Sequence, residues 1–176
     1  KEALGAIDLR RTNTFAALSV LGIGDFNLFN VPCGRFDQFP LIEINKLIEK
    51  EIAAFKPTLV FTHSEIDANR DHQIAYQATI IATRPSVSDS IKLVASYEIP
   101  SSTEWAFSSV FSPNFFISLE ERHVGTKWRA LEQYGDEMRH YPFPRSEEGI
   151  KTLAKYRGMQ TGMQYAEAFT IIRCMA

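Results

Sequence analysis

A short apolar run, Thr58-Leu59-Val60-Phe61, leads straight into Thr62-His63-Ser64-Glu65-Ile66-Asp67-Ala68-Asn69-Arg70-Asp71-His72, after which the chain reads as a helix to about residue 84. An apolar run of strand length, a polar loop and a helix make up half of a strand–helix–strand unit, which commits the chain to an α/β class. Folds of that class bind ligands outside the carboxyl ends of their strands. The loop therefore puts two histidines and two aspartates where chemistry is expected.

The rest of the pattern agrees with that class. Residues 7–21 read as a helix ending at Gly22, and residues 25–31 as a strand carrying Phe26, Leu28, Phe29 and Val31. Pro40 opens a helix with Leu41, Ile44, Ile48 and Ile52 on one face, and Pro57 requires it to stop. Ile74, Ala78, Ile81 and Ala82 give the His72 helix its core face. Strands are expected at 91–97, 115–117 and 168–173, with a long irregular loop over 98–113. Ser118-Leu119-Glu120-Glu121 has the form of a capping box before a helix striped with Val124, Trp128 and Leu131. Ser146 starts a last helix running to about Gly158. The expected architecture is Rossmann-like: a mostly parallel sheet flanked by helices, in one domain over 1–176.

Bulk properties narrow the function classes. A chain of 176 residues, 45% hydrophobic and 23% charged, can bury one sizeable core. A net charge of −2 provides no general attraction to nucleic acid or to an anionic membrane. No apolar run approaches the roughly eighteen residues of a transmembrane segment. Cys33 and Cys174 lack CxxC spacing and are expected as buried thiols of a reducing cytoplasm.

Within the loop, His72 lies in the first helical turn with Asp71 just before it, and His63 and Asp67 are candidates for the same cleft. A neutral imidazole binds a borderline metal through one nitrogen while a carboxylate or carbonyl holds the other. The same residues also suit a plainer reading, in which His72 sits at a helix start and Asp67 and Asn69 are turn and cap residues.

Resemblance adds to this. His63-x-x-x-Asp67-x-Asn69-x-Asp71-His72, followed by a helix ending at Ala82-Thr83-Arg84-Pro85, resembles the second signature of the PIG-L/LmbE-like N-acetylglucosamine deacetylase family. Tyr97-Glu98-Ile99-Pro100-Ser101-Ser102-Thr103-Glu104-Trp105 resembles a loop of members linked to bacterial polysaccharide assembly. Lys127, Ala130 and Leu131, then Tyr156-Arg157-Gly158 and Tyr165-Ala166-Glu167, resemble later family motifs in the family's order. Arg10-Arg11-Thr12-Asn13 through Leu21-Gly22 resembles its Arg-x-x-Glu helix. The resemblance implies a zinc-dependent amidohydrolase that removes an N-acetyl group from an amino sugar, with His72 as a zinc ligand. It implies that Asp71 orients the active-site imidazole or a water, and that Asn69 stands at a catalytic position. Arg10, His63, Asp67, Glu98, Ser102 and Glu104 are the implied substrate contacts. The expected partner is a small N-acetylated sugar or sugar conjugate, and family members are often homo-oligomers.

Three departures qualify the expectation. The family's first signature, Ala-His-Pro-Asp-Asp-Glu, which supplies two metal ligands and a general base, is not in the sequence. The natural protein is accordingly expected to be longer by about forty to fifty residues, the size of a strand–helix–strand unit. Asn69 stands where many members carry a His, and an amide cannot deliver a proton at neutral pH. Asn13 replaces the Glu of Arg-x-x-Glu. The alternatives are a non-catalytic remnant that binds sugar or acts in assembly, and a hydrolase of another small amide.

Overall fold

A computed structural model describes residues 2–175, without the side chains of residues 2–6 and 136. The chain forms two compact units. One comprises residues up to Phe29 with Ile117–Glu167; the other comprises Asn30–Phe116 with the residues from Ala168 onward.

The second unit holds the strand–loop–helix. Helix α2 (Leu41–Phe55) ends where Lys56 turns left-handed, φ 50°, and donates its amide to Ile52 O at 2.8 Å. Pro57 follows and cannot continue the helix. Strand β1 (Leu59–His63) comes next, then α3 (Arg70–Ala82) and β2 (Leu93–Tyr97). Strands β1 and β2 run parallel and in step, from Leu59 opposite Leu93 to His63 opposite Tyr97. His63 and Tyr97 are therefore side by side at the carboxyl ends of both strands. Ile52, Ala82, Ile91 and Val94 form one buried cluster, and Ile44, Ile74 and Ala78 a second, so the apolar stripes of α2 and α3 close over the sheet. Each large aliphatic side chain so buried contributes about 1.5–3 kcal/mol.

In the first unit, α1 (Glu2–Leu21) ends at Gly22, whose φ of 70° suits glycine at a helix terminus. Strand β3 (Phe115–Leu119), whose first two residues belong to the second unit, leads into α4 (Glu121–Glu132), and α5 (Glu147–Met159) precedes β4 (Tyr165–Cys174), which belongs to the second unit from Ala168 on. Val124, Ile150, Ala154 and Tyr165 form this unit's core, with Trp128 and Leu131 packed on it. Ser146 caps α5 by accepting the Gly149 amide at 3.0 Å.

The four strands make one sheet in the order β1-β2-β4-β3. The α/β class and the flanking helices agree with the sequence reading, and the pairing differs in part. Strand β4 lies antiparallel to β2, from Cys174 opposite Leu93 to Phe169 opposite Tyr97, with a bulge at Val94 and Ala95. An antiparallel neighbour needs no crossover helix, and mixed sheets are common.

Three local expectations change. Residues 25–31 form no strand; Leu28 and Phe29 stay 44% and 45% exposed, and no described strand runs alongside to take their backbone hydrogen bonds. The capping box of α4 begins at Glu120 and closes on His123, because Ser118 is still inside β3. Cys33 and Cys174 are exposed rather than buried, the first in a turn and the second at the end of β4, and neither is in a disulfide.

Candidate active site

The loop after β1 is built around one carboxylate. Asp67 has no solvent exposure. Its Oδ1 accepts the Asn69 amide at 2.8 Å and the Ser102 hydroxyl, and its Oδ2 accepts the Thr103 hydroxyl at 2.9 Å. Burial by itself would raise this carboxyl, but the adjacent His72 imidazole and the donors of Ser102, Asn69 and Thr103 together outweigh it and hold the group down at about 2. Asp67 is thus an ionised carboxylate with its hydrogen bonds directed inward.

His72 lies against it. Its Nδ1 is 3.0 Å from Asp67 Oδ1, yet off the line of a full hydrogen bond, and no other described atom partners that buried nitrogen. A proton on Nδ1 would satisfy both groups and leave the Nε2 lone pair pointing away; this tautomer is assigned from the contacts. The His63 ring stacks on His72 at 4.4 Å and 23°, and Tyr97 meets His63 at 5.4 Å. Burial first, then the neighbouring His72, lowers His63 to about 4, so it is neutral near pH 7. Burial and then the field of Asp67 raise the Tyr97 phenol, which stays protonated.

Asn69 caps α3: its Oδ1 accepts the Asp71 amide at 2.9 Å, and the residue is otherwise exposed. Asp71 does not orient the imidazole. Its carboxylate accepts the amides of Gly34 and of Phe36, the latter at 3.1 Å, and so ties the turn before α2 to α3. The reason is helical geometry: successive residues diverge by roughly 100°, so Asp71 and His72 cannot serve one point. Asp67, not Asp71, is the carboxylate that lies against the His72 ring, and it is sealed from solvent rather than open to a substrate.

The 98–105 segment reaches the site through hydroxyls. Ser102, 8% exposed, and Thr103, 5% exposed, are the two donors to Asp67; Thr103 Oγ1 also accepts the Ile99 amide at 2.7 Å. Glu104 accepts the amides of Ser101 and Ser102 at 2.6 and 3.0 Å, which steadies a loop whose Ser101 has φ 67°. Glu98 is half-buried just past β2. Arg10 belongs to the other unit, where it pairs with Glu137 at 2.8 Å. Thr103 and Tyr97 were not anticipated. The in-step pairing of two parallel strand ends would have pointed to Tyr97, whereas nothing local marks Thr103.

A catalytic zinc takes three protein ligands and leaves one position open. His72, backed by Asp67, fits one such ligand with its supporting carboxylate. Among the described residues no group of three or more His, Cys, Asp or Glu side chains is arranged to hold an ion, so these residues do not complete a zinc site.

Residues 1–83, which contain this whole loop, match the PIG-L family, described as GlcNAc-PI de-N-acetylase. The resemblance is to PIG-L. No curated protein matches the chain. Among solved structures, the chain is similar to the conserved protein TT1542 from Thermus thermophilus, with a TM-score of 0.74 at 18% identity over 96% of this chain and 75% of that one. It is also similar to N,N'-diacetylchitobiose deacetylase from Pyrococcus horikoshii, with a TM-score of 0.73 at 17% identity, over 94% of this chain but only 64% of that one. A third is the A40926 pseudoaglycone deacetylase Dbv21, with a TM-score of 0.69 at 23% identity over 97% and 73% of the two chains. At these identities the likeness is one of fold, and the same fold serves a 4-carboxy-2-hydroxymuconate hydratase from Pseudomonas putida, with a TM-score of 0.62. Among the described residues no helix is long and apolar enough to cross a membrane.

Proposed function

We propose that the chain is a zinc-dependent amidohydrolase that removes the N-acetyl group from an N-acetylated amino sugar or its conjugate. The single observation that carries the reading is the His72 imidazole, backed by a fully buried ionised Asp67 at the mouth of a parallel strand pair, inside the segment that matches a de-N-acetylase family. Cytoplasmic location, a setting in cell-surface polysaccharide synthesis and self-association complete the proposal. They rest on the family resemblance and on the loop over 97–105.

An amide is a weak electrophile, and water is a weak nucleophile at pH 7. When bound, zinc lowers the pKa of water toward ~7 and polarises a carbonyl. His72 is the residue of this chain that would hold the ion, through Nε2. Asp67 keeps the proton on Nδ1 and fixes the ring's direction. His63 packs on the same ring while uncharged, so it holds the imidazole plane without placing a second cation beside it. Asn69, exposed at the helix start, can donate an amide N–H to a substrate oxygen but has no proton to transfer. Tyr97 retains its phenolic proton as a further donor. Ser102 and Glu104 set the shape of the loop proposed to lie over the sugar, and Glu98 is the carboxylate proposed to accept its hydroxyls. Arg10, whose side chain is 56% exposed, is proposed as a sugar contact with no geometry attached.

The test is zinc content together with acetate release from N-acetylated sugars, for the natural protein and its His72→Ala variant. Stoichiometric zinc, with metal and acetate release both lost in the variant, is the expected result. A metal-free protein that binds sugar and releases no acetate would establish the non-catalytic alternative instead.

A further inference from the structure

A cavity of about 700 Å³ lies wholly within the first unit, lined by Trp128 of α4, by the start of α5 and by the segment 138–141 of the connection between the two helices. Its linings carry opposite charge. Arg139 and His140 stand on the connecting segment, both exposed. The Arg139 guanidinium is held 5.2 Å from the centre of the Phe143 ring, which fixes it without neutralising it, and among the described residues no carboxylate pairs with it. Glu147 and Glu148 line the cavity from the first turn of α5, exposed and likewise outside every described ion pair. The cation on that helix, Lys151, is already committed to Glu121 at 2.9 Å, and Glu147 acts on it only from a distance. The rest of the lining is apolar and aromatic, with Trp128 half-buried, Met138, and Tyr141 62% exposed, apart from the Ser146 hydroxyl that caps α5.

We infer that this cavity binds a short zwitterionic peptide, about the size of a dipeptide, carrying an aromatic or large aliphatic side chain. Its carboxylate goes to Arg139, whose planar fork matches two oxygens. Its ammonium goes to Glu147 and Glu148, and its side chain to Trp128 and Tyr141. The volume is that of a small-ligand site, and a dipeptide reaches about 7 Å from end to end. A plain anion would meet the two glutamates, and a plain cation would meet Arg139. A ligand of one sign therefore meets repulsion as well as attraction, and only a molecule with both charges uses the whole cavity. No residue of the candidate active site takes part, so the inference stands or falls apart from the deacetylase reading.

The whole ¹⁵N-labelled chain is titrated with phenylalanyl-leucine, with its N-acetyl derivative and with its C-terminal amide, while the Trp128 indole N–H and the amides of Arg139 and Glu148 are followed. Saturable shifts with the free dipeptide are expected. Each capped form should bind at least about five-fold more weakly, the scale of one lost hydrogen bond to a charged group. Arg139→Gln should erase the difference between the free dipeptide and its amide while keeping the preference over the N-acetyl form. Glu147→Gln combined with Glu148→Gln should do the reverse. All three positions are exposed and tolerate these changes. His72→Ala should leave every shift in place while abolishing any acetate release, which separates failure here from failure of the proposed function. No saturable shift at Trp128, capped forms that bind as tightly as the free dipeptide, or variants that keep the full discrimination would overturn the inference.

Discussion

Asp67→Asn isolates the physical basis of the candidate site. In the native chain the carboxyl is held at about 2 instead of 3.8. At about 1.4 kcal/mol for each tenfold change in acidity, that preference for the ionised form contributes about 2.5 kcal/mol to stability. The folded carboxyl is the stronger acid, so as pH falls the unfolded chain takes up the proton first. The contribution is whole well above pH 4, begins to shrink near pH 4, and is gone by about pH 2. Asparagine keeps one acceptor oxygen and puts an amide N–H₂ in place of the other. That oxygen pair now serves Ser102, Asn69, Thr103 and His72, and the Thr103 hydroxyl is already committed as acceptor to Ile99. Losing the charge and leaving one buried donor short should destabilise the chain by about 2–4 kcal/mol at pH 7. Urea unfolding of both proteins, from pH 7 to below pH 4, measures the difference. The gap between them should be constant from pH 7 to about 5 and then narrow as acid is added. A gap that does not change with pH, or a variant as stable as the parent at pH 7, would refute the claim that an ionised, inward-bonded Asp67 holds the loop together.

Thr103→Val removes the donor to Asp67 and the acceptor for the Ile99 amide at nearly constant volume; denaturation should show a loss of about 1–3 kcal/mol, and Asp67 should titrate at a higher pH by ¹³C NMR. His63, lowered to about 4, should show no NMR inflection between pH 5.5 and 8. Because the unfolded His63 is the stronger base, the stability tied to its neutral form is present above about pH 6.5 and is lost as pH falls toward 4. Ser146→Ala removes the cap that accepts the Gly149 amide and should cost about 1 kcal/mol in the same unfolding assay. At Gly158 a Cβ would lie 2.5 Å from Met163 O, so Gly158→Ala should destabilise by about 1–3 kcal/mol, with a proportionate fall in melting temperature.

Much of the site could be read along the chain because its local parts are made by near neighbours. Asn69 caps the helix that starts one residue later, and Ser146 does the same for α5. The apolar stripe Ile44, Ile48 and Ile52 turned inward where periodicity put it. The His72 helix begins just after its polar loop, so an imidazole at the mouth of β1 followed from order alone. Hydrogen bonds that close over two to four residues need no tertiary partner, and sequence spacing determines them.

Other features depended on distant contacts. Asp67 and Asp71 flank Asn69 symmetrically in sequence, and only the fold decided that one meets the imidazole while the other ties down residues 34–36. The hydroxyls that saturate Asp67 arrive from 35 and 36 residues away, on a loop whose sequence suggested only a surface over a sugar. Residues 25–31 have the composition of a strand, yet a strand exists only where a neighbour takes up its backbone bonds, and none of the described strands does. Periodicity settles which face of a segment is apolar; which carboxylate lies beneath which ring is settled when segments remote in sequence are brought together and every buried donor must find an acceptor.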